Sequence, residues 1–114
     1  QHGNPTSALD IADALLAVAD RWRAEPGHGA DAIYHFAGTG STTWADFARA
    51  IFAESARQGG PTCTVTGIPA SEYPTKAARP ANSRLDCTKF AETFGHCAPR
   101  WQDSLGETVA RLLG

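Results

Sequence analysis

The residues best suited to chemistry in this chain are four cations, Lys76, Arg79, Arg84 and Lys89, gathered in the run EYPTKAARPANSRLDCTK over 72–89. Two acids, Glu72 and Asp86, stand against them, a local balance of +2 in a 114-residue chain whose 10 Lys and Arg and 12 Asp and Glu give a formal net charge of −2. Pro74 and Pro80 fix φ, so a guanidinium held on this loop loses less entropy when it engages a ligand. Arg79 directly precedes Pro80 and is biased toward extended backbone that projects its side chain. Arginine forks match phosphate oxygens two at a time, so the chemistry indicated is the binding of a small anion. The competing account is structural: Arg79 and Arg84 as solvated surface charges, or paired with Asp86 and Glu92 at the start of the next helix.

Other chemistry finds little support. Neither G-x-S-x-G, H-E-x-x-H nor Tyr-x-x-x-Lys occurs, and Tyr34 and Tyr73 have no lysine four residues on. Cys63, Cys87 and Cys97 are an odd number without C-x-x-C spacing, which fits free thiols in the cytoplasm. His2, His28, His35 and His96 are scattered, with no zinc-finger spacing to a cysteine, so no metal site is expected. The acidic balance argues against nucleic acid as a partner. A membrane is excluded on length, since no apolar run approaches the roughly 20 residues of a spanning helix.

Four helices would position the basic loop. Thr6 or Ser7 caps the first, whose Ala8, Ile11, Ala12, Leu15, Val18, Ala19 and Trp22 recur at helical spacing. AIYHFAG over 32–38 reads as a buried strand, and the following GTGSTTW as a structural loop, for it lacks both G-x-G-x-x-G and the Walker Lys-Ser/Thr pair. Thr42 or Thr43 caps a second helix with Trp44, Phe47, Ala48, Ile51, Phe52 and Ser55 inward. CTVTGI over 63–68 is a second strand. Leu85, Phe90 and Phe94 outline a short third helix closed by Gly95, and Trp101, Leu105, Val109 and Leu112 a fourth. The fold class is therefore α/β, in the order α-β-α-β-loop-α-α. Two isolated strands make a marginal sheet. With no initiating Met and no signal peptide, QHGNPTS reads as a chain entered midway, its first helix and strand (1–42) made to cover a sheet encoded upstream and 43–114 a mainly helical binding part.

Four stretches carry a family resemblance: QHGNPTSALDIAD, AIYHFAGTGSTTWADFARAIF, YPTKAARPANSRLDCTKF and FGHCAPRWQDSL. In order and spacing they resemble the C-terminal part of the dTDP-4-dehydrorhamnose reductase family, within the extended short-chain dehydrogenase/reductases, and Arg-Pro-x-Asn-Ser-Arg-Leu-Asp is the most specific element. The resemblance implies an incomplete fragment of a bacterial enzyme of dTDP-rhamnose biosynthesis, inactive by itself. NADPH (or NADH), the catalytic Thr/Ser, Tyr and Lys, and the glycine-rich loop belong to a missing N-terminal Rossmann domain, so no catalytic, cofactor or metal residue is expected here. The implied partners are a dTDP-sugar, that missing domain and, as a homodimer, a second copy. By the same resemblance Arg79, Asn82, Ser83 and Arg84 lie along the nucleotide diphosphate, and Gln1 and Thr6 near the substrate cleft. Trp44 also matches the family, although its helical register places it in the core. The sequence departs from the family at Ala78, where a second arginine is common, and at Lys76, where a proline is. A non-catalytic scaffold of the same fold is the alternative.

Overall fold

The computed structural model of the chain describes residues 1–72 and 76–114. Tyr73, Pro74 and Thr75, which open the basic run and include one of its two φ-fixing prolines, lie outside the described residues.

Four helices form where hydrophobic periodicity and capping residues place them: α1 (Ala8–Ala24), α2 (Trp44–Arg57), α3 (Thr88–Phe94) and α4 (Trp101–Leu113). Ser7 caps α1 by accepting from the Asp10 N–H, and Thr43 caps α2 by accepting from the Asp46 N–H. Each satisfies one of the donors a helix leaves free at its start. Helix α3 ends at Gly95, whose φ of 63° lies in the left-handed region that costs glycine nothing.

The two strands are not those that alternation suggests. They are β1 (His2–Gly3) and β2 (Thr42–Thr43), antiparallel, with His2 opposite Thr43 and Gly3 opposite Thr42. Among the described residues the order is thus β-α-β-α-α-α, with a 3-10 turn at Ala70–Glu72 between α2 and α3. Residues 33–36 do alternate in burial, Tyr34 and Phe36 inward and Ile33 and His35 outward, but among the described residues no backbone–backbone hydrogen bond is made along 32–37. A strand is defined by its ladder, and this run has none. The stretch 63–68 likewise has no ladder partner among the described residues.

Packing falls into two parts. Ala14 of α1 and Phe90 and Phe94 of α3 form a small buried cluster, flanked by half-buried Val18, Tyr34 and Phe36. Its rings meet edge to face, Tyr34 on Phe94 at 5.3 Å and Phe36 on Phe90 at 5.3 Å between centroids. On the other side α2 packs against α4, where Phe47 meets the buried Trp101 at 5.8 Å. Buried Asp10, in the first turn of α1, accepts a hydrogen bond from the Ser104 hydroxyl of α4 and ties the two parts together.

Much of the expected apolar face of α1 stays in water. The helix buries Asp10 and Ala14 and half-buries Val18 and Arg21, whereas Ile11, Leu15, Leu16 and Trp22 are exposed. Ile33 is 79% exposed. The radius of gyration, 16.9 Å, exceeds the ~13 Å of a compact chain of this size. Three more side chains depart from their expected places: Leu112 is exposed near the end of α4, Leu85 precedes α3, and Trp44 is 70% exposed. Trp44 is the first residue of α2, one turn ahead of the part that α4 covers, so its register with Phe47 does not bring it under cover.

Candidate substrate-binding cleft

The segment before α1 is a strap linking two distant loops. The His2 N–H donates to Ala81 O at 2.8 Å, and His2 O accepts from both the Ser83 N–H at 2.8 Å and the Ser83 hydroxyl at 3.1 Å. Two residues on, Asn4 Oδ1 accepts from the Leu85 N–H at 2.7 Å while Asn4 Nδ2 donates to Gly40 O at 2.6 Å. The Thr6 hydroxyl donates to Asn4 O and accepts from the Gly38 N–H, each at 2.9 Å. A Cβ on Gly38 would stand 2.1 Å from Pro5 O, so only glycine lets the strap lie this close. The expectation of a structural rather than phosphate-cradling GTGSTTW loop fits this use of Gly38, and Gly40 packs on Trp101.

Between strap, loop and helix lies an open cavity of about 520 Å³. Its polar wall includes Gln1, Thr6 and Ser83, and its apolar wall Ile11, Phe36, Trp44, Phe47 and Leu85. That volume and mixed lining are of the kind that takes a small organic ligand. A second cavity of about 280 Å³ lies behind it, and Asn4, Phe36, Ala37 and Leu85 border both.

Positive charge on the basic run is left without a carboxylate partner among the described residues. Arg84 donates both its N–H (3.0 Å) and its Nε–H (2.9 Å) to Asn82 Oδ1, which orients the guanidinium without neutralising it. Arg79 is exposed and makes no hydrogen bond or ion pair with a described residue. Among the described residues no carboxylate lies within 4.0 Å of Lys76, Arg79, Arg84 or Lys89, so pairing of Arg79 or Arg84 with Asp86 or Glu92 is absent there. Asp86 instead accepts from Thr88 at the start of α3, and those hydrogen bonds hold its carboxyl below the ordinary aspartate range. Lys89 lies over the Tyr34 ring, 5.1 Å from its centroid.

A family model described as "RmlD substrate binding domain" matches residues 1–113. The chain belongs to that family. This domain is 42% identical over 113 residues to the dTDP-4-dehydrorhamnose reductase of Sinorhizobium fredii, covering 99% of this chain and 38% of that protein. It is 41% identical over 116 residues to the protein of the same name from Salmonella typhimurium and 36% over 115 to that of Escherichia coli K12, again over 99% of this chain and 36% and 38% of those proteins. The RmlD substrate binding domain described here thus spans a little over a third of the length of these relatives.

Of the six residues singled out from the sequence, Gln1, Thr6 and Ser83 share one wall of the larger cavity. Asn82 and Arg84 flank Ser83 and bind each other, while Arg79 is not among the lining residues. Reasoning from sequence passed over Asn4 as a brace and Trp44, Phe36 and Leu85 as lining. For Trp44 a signal existed in its match to the family, which its helical register with Phe47 overrode. Asn4 had only its place before Pro5, which marks a turn and says nothing of partners 36 and 81 residues away. No helix among the described residues is long and apolar enough to cross a membrane.

Proposed function

We propose that this domain binds the nucleotide diphosphate of a dTDP-sugar. It would serve as the substrate-binding part of a cytoplasmic reductase that converts dTDP-4-dehydro-L-rhamnose to dTDP-L-rhamnose for cell-surface polysaccharide. The observation that carries the reading is the cavity on which strap residues Gln1 and Thr6 meet Ser83 of the basic run, with the uncompensated guanidinium of Arg84 next in sequence. In this reading Arg79 and Arg84 hold diphosphate oxygens by charge-assisted forks. Ser83 and Gln1 orient the ligand, and the Trp44 side excludes water from its less polar end.

Gly38 and Gly40 are not free to cradle a nicotinamide cofactor's phosphates, because they pack against Pro5 and Trp101. We assign NADPH, with the hydride it supplies, and the proton donor to the remainder of the full-length protein. The exposed face of Ile11, Leu15 and Trp22 is then where that remainder packs. What this chain's residues contribute to the reaction is uniform binding, which appears in KM rather than kcat.

The test is kinetic, on the full-length protein. Arg79→Ala should cost roughly 1.5–3 kcal/mol of substrate binding, about ten- to a hundredfold in KM, and leave cofactor affinity unchanged. Arg79→Lys should recover only part, because it keeps the charge and loses the fork. An unchanged KM would return Arg79 to a surface role, or, with a shifted melting temperature, to a helix-capping one.

A further inference from the structure

We propose that Asn4 is a positioning residue that sets the width of the substrate cleft, an inference that rests on the binding function proposed above. Its carboxamide joins two loops that both contribute residues to the cavity lining, Thr42 to Trp44 from one and Ser83 and Leu85 from the other. Oδ1 receives the Leu85 N–H at 2.7 Å and Nδ2 gives its hydrogen to Gly40 O at 2.6 Å. The two ends cannot be exchanged. A backbone N–H only donates and a carbonyl only accepts, so a flipped amide would set donor against donor and acceptor against acceptor. On one side the brace fixes the chain one residue after Arg84 and two after Ser83; on the other it fixes the loop that leads through Thr43 into Trp44. Thr6 hydrogen-bonds to the carbonyl of Asn4 and so holds the strap itself. Asn4 also borders both cavities, the larger of about 520 Å³ and the smaller of about 280 Å³, and so forms part of the partition between them.

Few side chains can replace it. Aspartate keeps the acceptor for Leu85 but turns a carboxylate oxygen toward the Gly40 carbonyl. Alanine loses both bonds and opens the partition. Either change lets the walls drift, and ligand binding suffers before the fold does, because the strap keeps its backbone bonds from His2 to Ala81 and Ser83.

The experiment uses the full-length protein, dTDP as the probe, and Asn4→Ala and Asn4→Asp as variants. Calorimetry should give a dTDP Kd raised about tenfold or more in both, the value of one to two lost hydrogen bonds. The substrate KM should rise in step, with kcat nearly unchanged and NADPH affinity unmoved. Hydrogen exchange should show the Leu85 N–H less protected in Asn4→Ala and still protected in Asn4→Asp. Should Asn4→Ala fail to fold, the near-isosteric Asn4→Asp carries the test alone. Wild-type dTDP affinity in a folded Asn4→Asp overturns the assignment of Asn4 and leaves the binding function standing. A folded wild-type protein that takes up no dTDP overturns both.

Discussion

Helices α1 and α2 start with the same hydrogen bond and end in opposite surroundings. In each a hydroxyl receives the N–H of an aspartate three residues on, Ser7 from Asp10 at 3.1 Å and Thr43 from Asp46 at 3.2 Å, and each carries arginine in its last turn. Both have an apolar stripe. That of α2 meets α4, with Phe47 against Trp101 and the Gln58 amide reaching Gly106 O at 3.1 Å. Helix α1 rests on α3 along the narrow line of Ala14 and Val18, and Leu15 and Leu16 are 65% and 63% exposed. The same local pattern therefore makes a helix in both places, while burial is decided by what stands opposite.

The largest expected effect tests that contrast directly. Trp101 is only 7% exposed and supports Phe47 and Gly40, so Trp101→Ala should cost about 3–5 kcal/mol in urea melts of the chain. Leu15→Ala in the same melts should stay within about 0.5 kcal/mol, as for a side chain already in water. In the full-length protein the proposed cover over α1 should raise the Leu15→Ala cost to about 2–5 kcal/mol. Equal small effects of Leu15→Ala in both settings would mean that this face is bare in the full-length protein too.

Which parts of the molecule could be seen in advance follows the same division. Helices are encoded locally, by caps and by spacing, and all four stand within a few residues of their expected places. The small sheet was hidden because neither HG nor TT carries a strand pattern; their pairing comes from the strap lying across the loop before α2. Residues 32–38 show the converse error, a true alternation of inward Tyr34 and Phe36 with outward Ile33 that lacks a neighbour to complete a ladder. Gln1, Thr6 and Ser83, named through family resemblance, line the cavity. Asn4 was not legible in advance, since a brace between residues 36 and 81 positions away has no expression in spacing. Trp44 was misjudged because periodicity reports which residues share a face and not where along the helix the partner stops.

The next effect is smaller and should be alike in the two helices. Ser7→Ala and Thr43→Ala each remove one cap, a change worth about 0.5–2 kcal/mol. If capping is as local as the matching geometry suggests, thermal melts should give the two variants similar losses despite the difference in cover. A loss for Thr43→Ala with none for Ser7→Ala would show instead that packing, with buried Asp10 bonded to Ser104, and not the cap, holds the first turn of α1.

The smallest expected effect distinguishes the α2 side through its charge. The Glu54 carboxylate is hydrogen-bonded first by Arg57 and then by Gln58 (2.7 Å), and these partners bring its pKa from 4.5 down to about 2, while the Arg57 guanidinium is raised in turn. Gln58 shares its Nε2 hydrogens with Gly106 O of α4, so this carboxylate belongs to the contact between the helices. As pH falls below about 4.5 the unfolded chain takes up a proton at Glu54 that the folded chain refuses until about 2. The unfolded state therefore binds more protons in that window, and the contribution of Glu54, complete above about pH 5, is lost as pH drops toward 2. Tm measured between pH 6 and pH 2.5 should fall more steeply for the wild-type chain than for Glu54→Gln, which has no proton to take up. Some slope should survive in the variant, since Asp86 is lowered by its hydrogen bonds to Thr88 and acts in the same direction. Because the Arg57 partner is exposed to solvent, salt should shrink the difference. Parallel curves for the two proteins would mean that the Arg57 contact is not kept in solution, and with it would go this electrostatic distinction between α2 and α1.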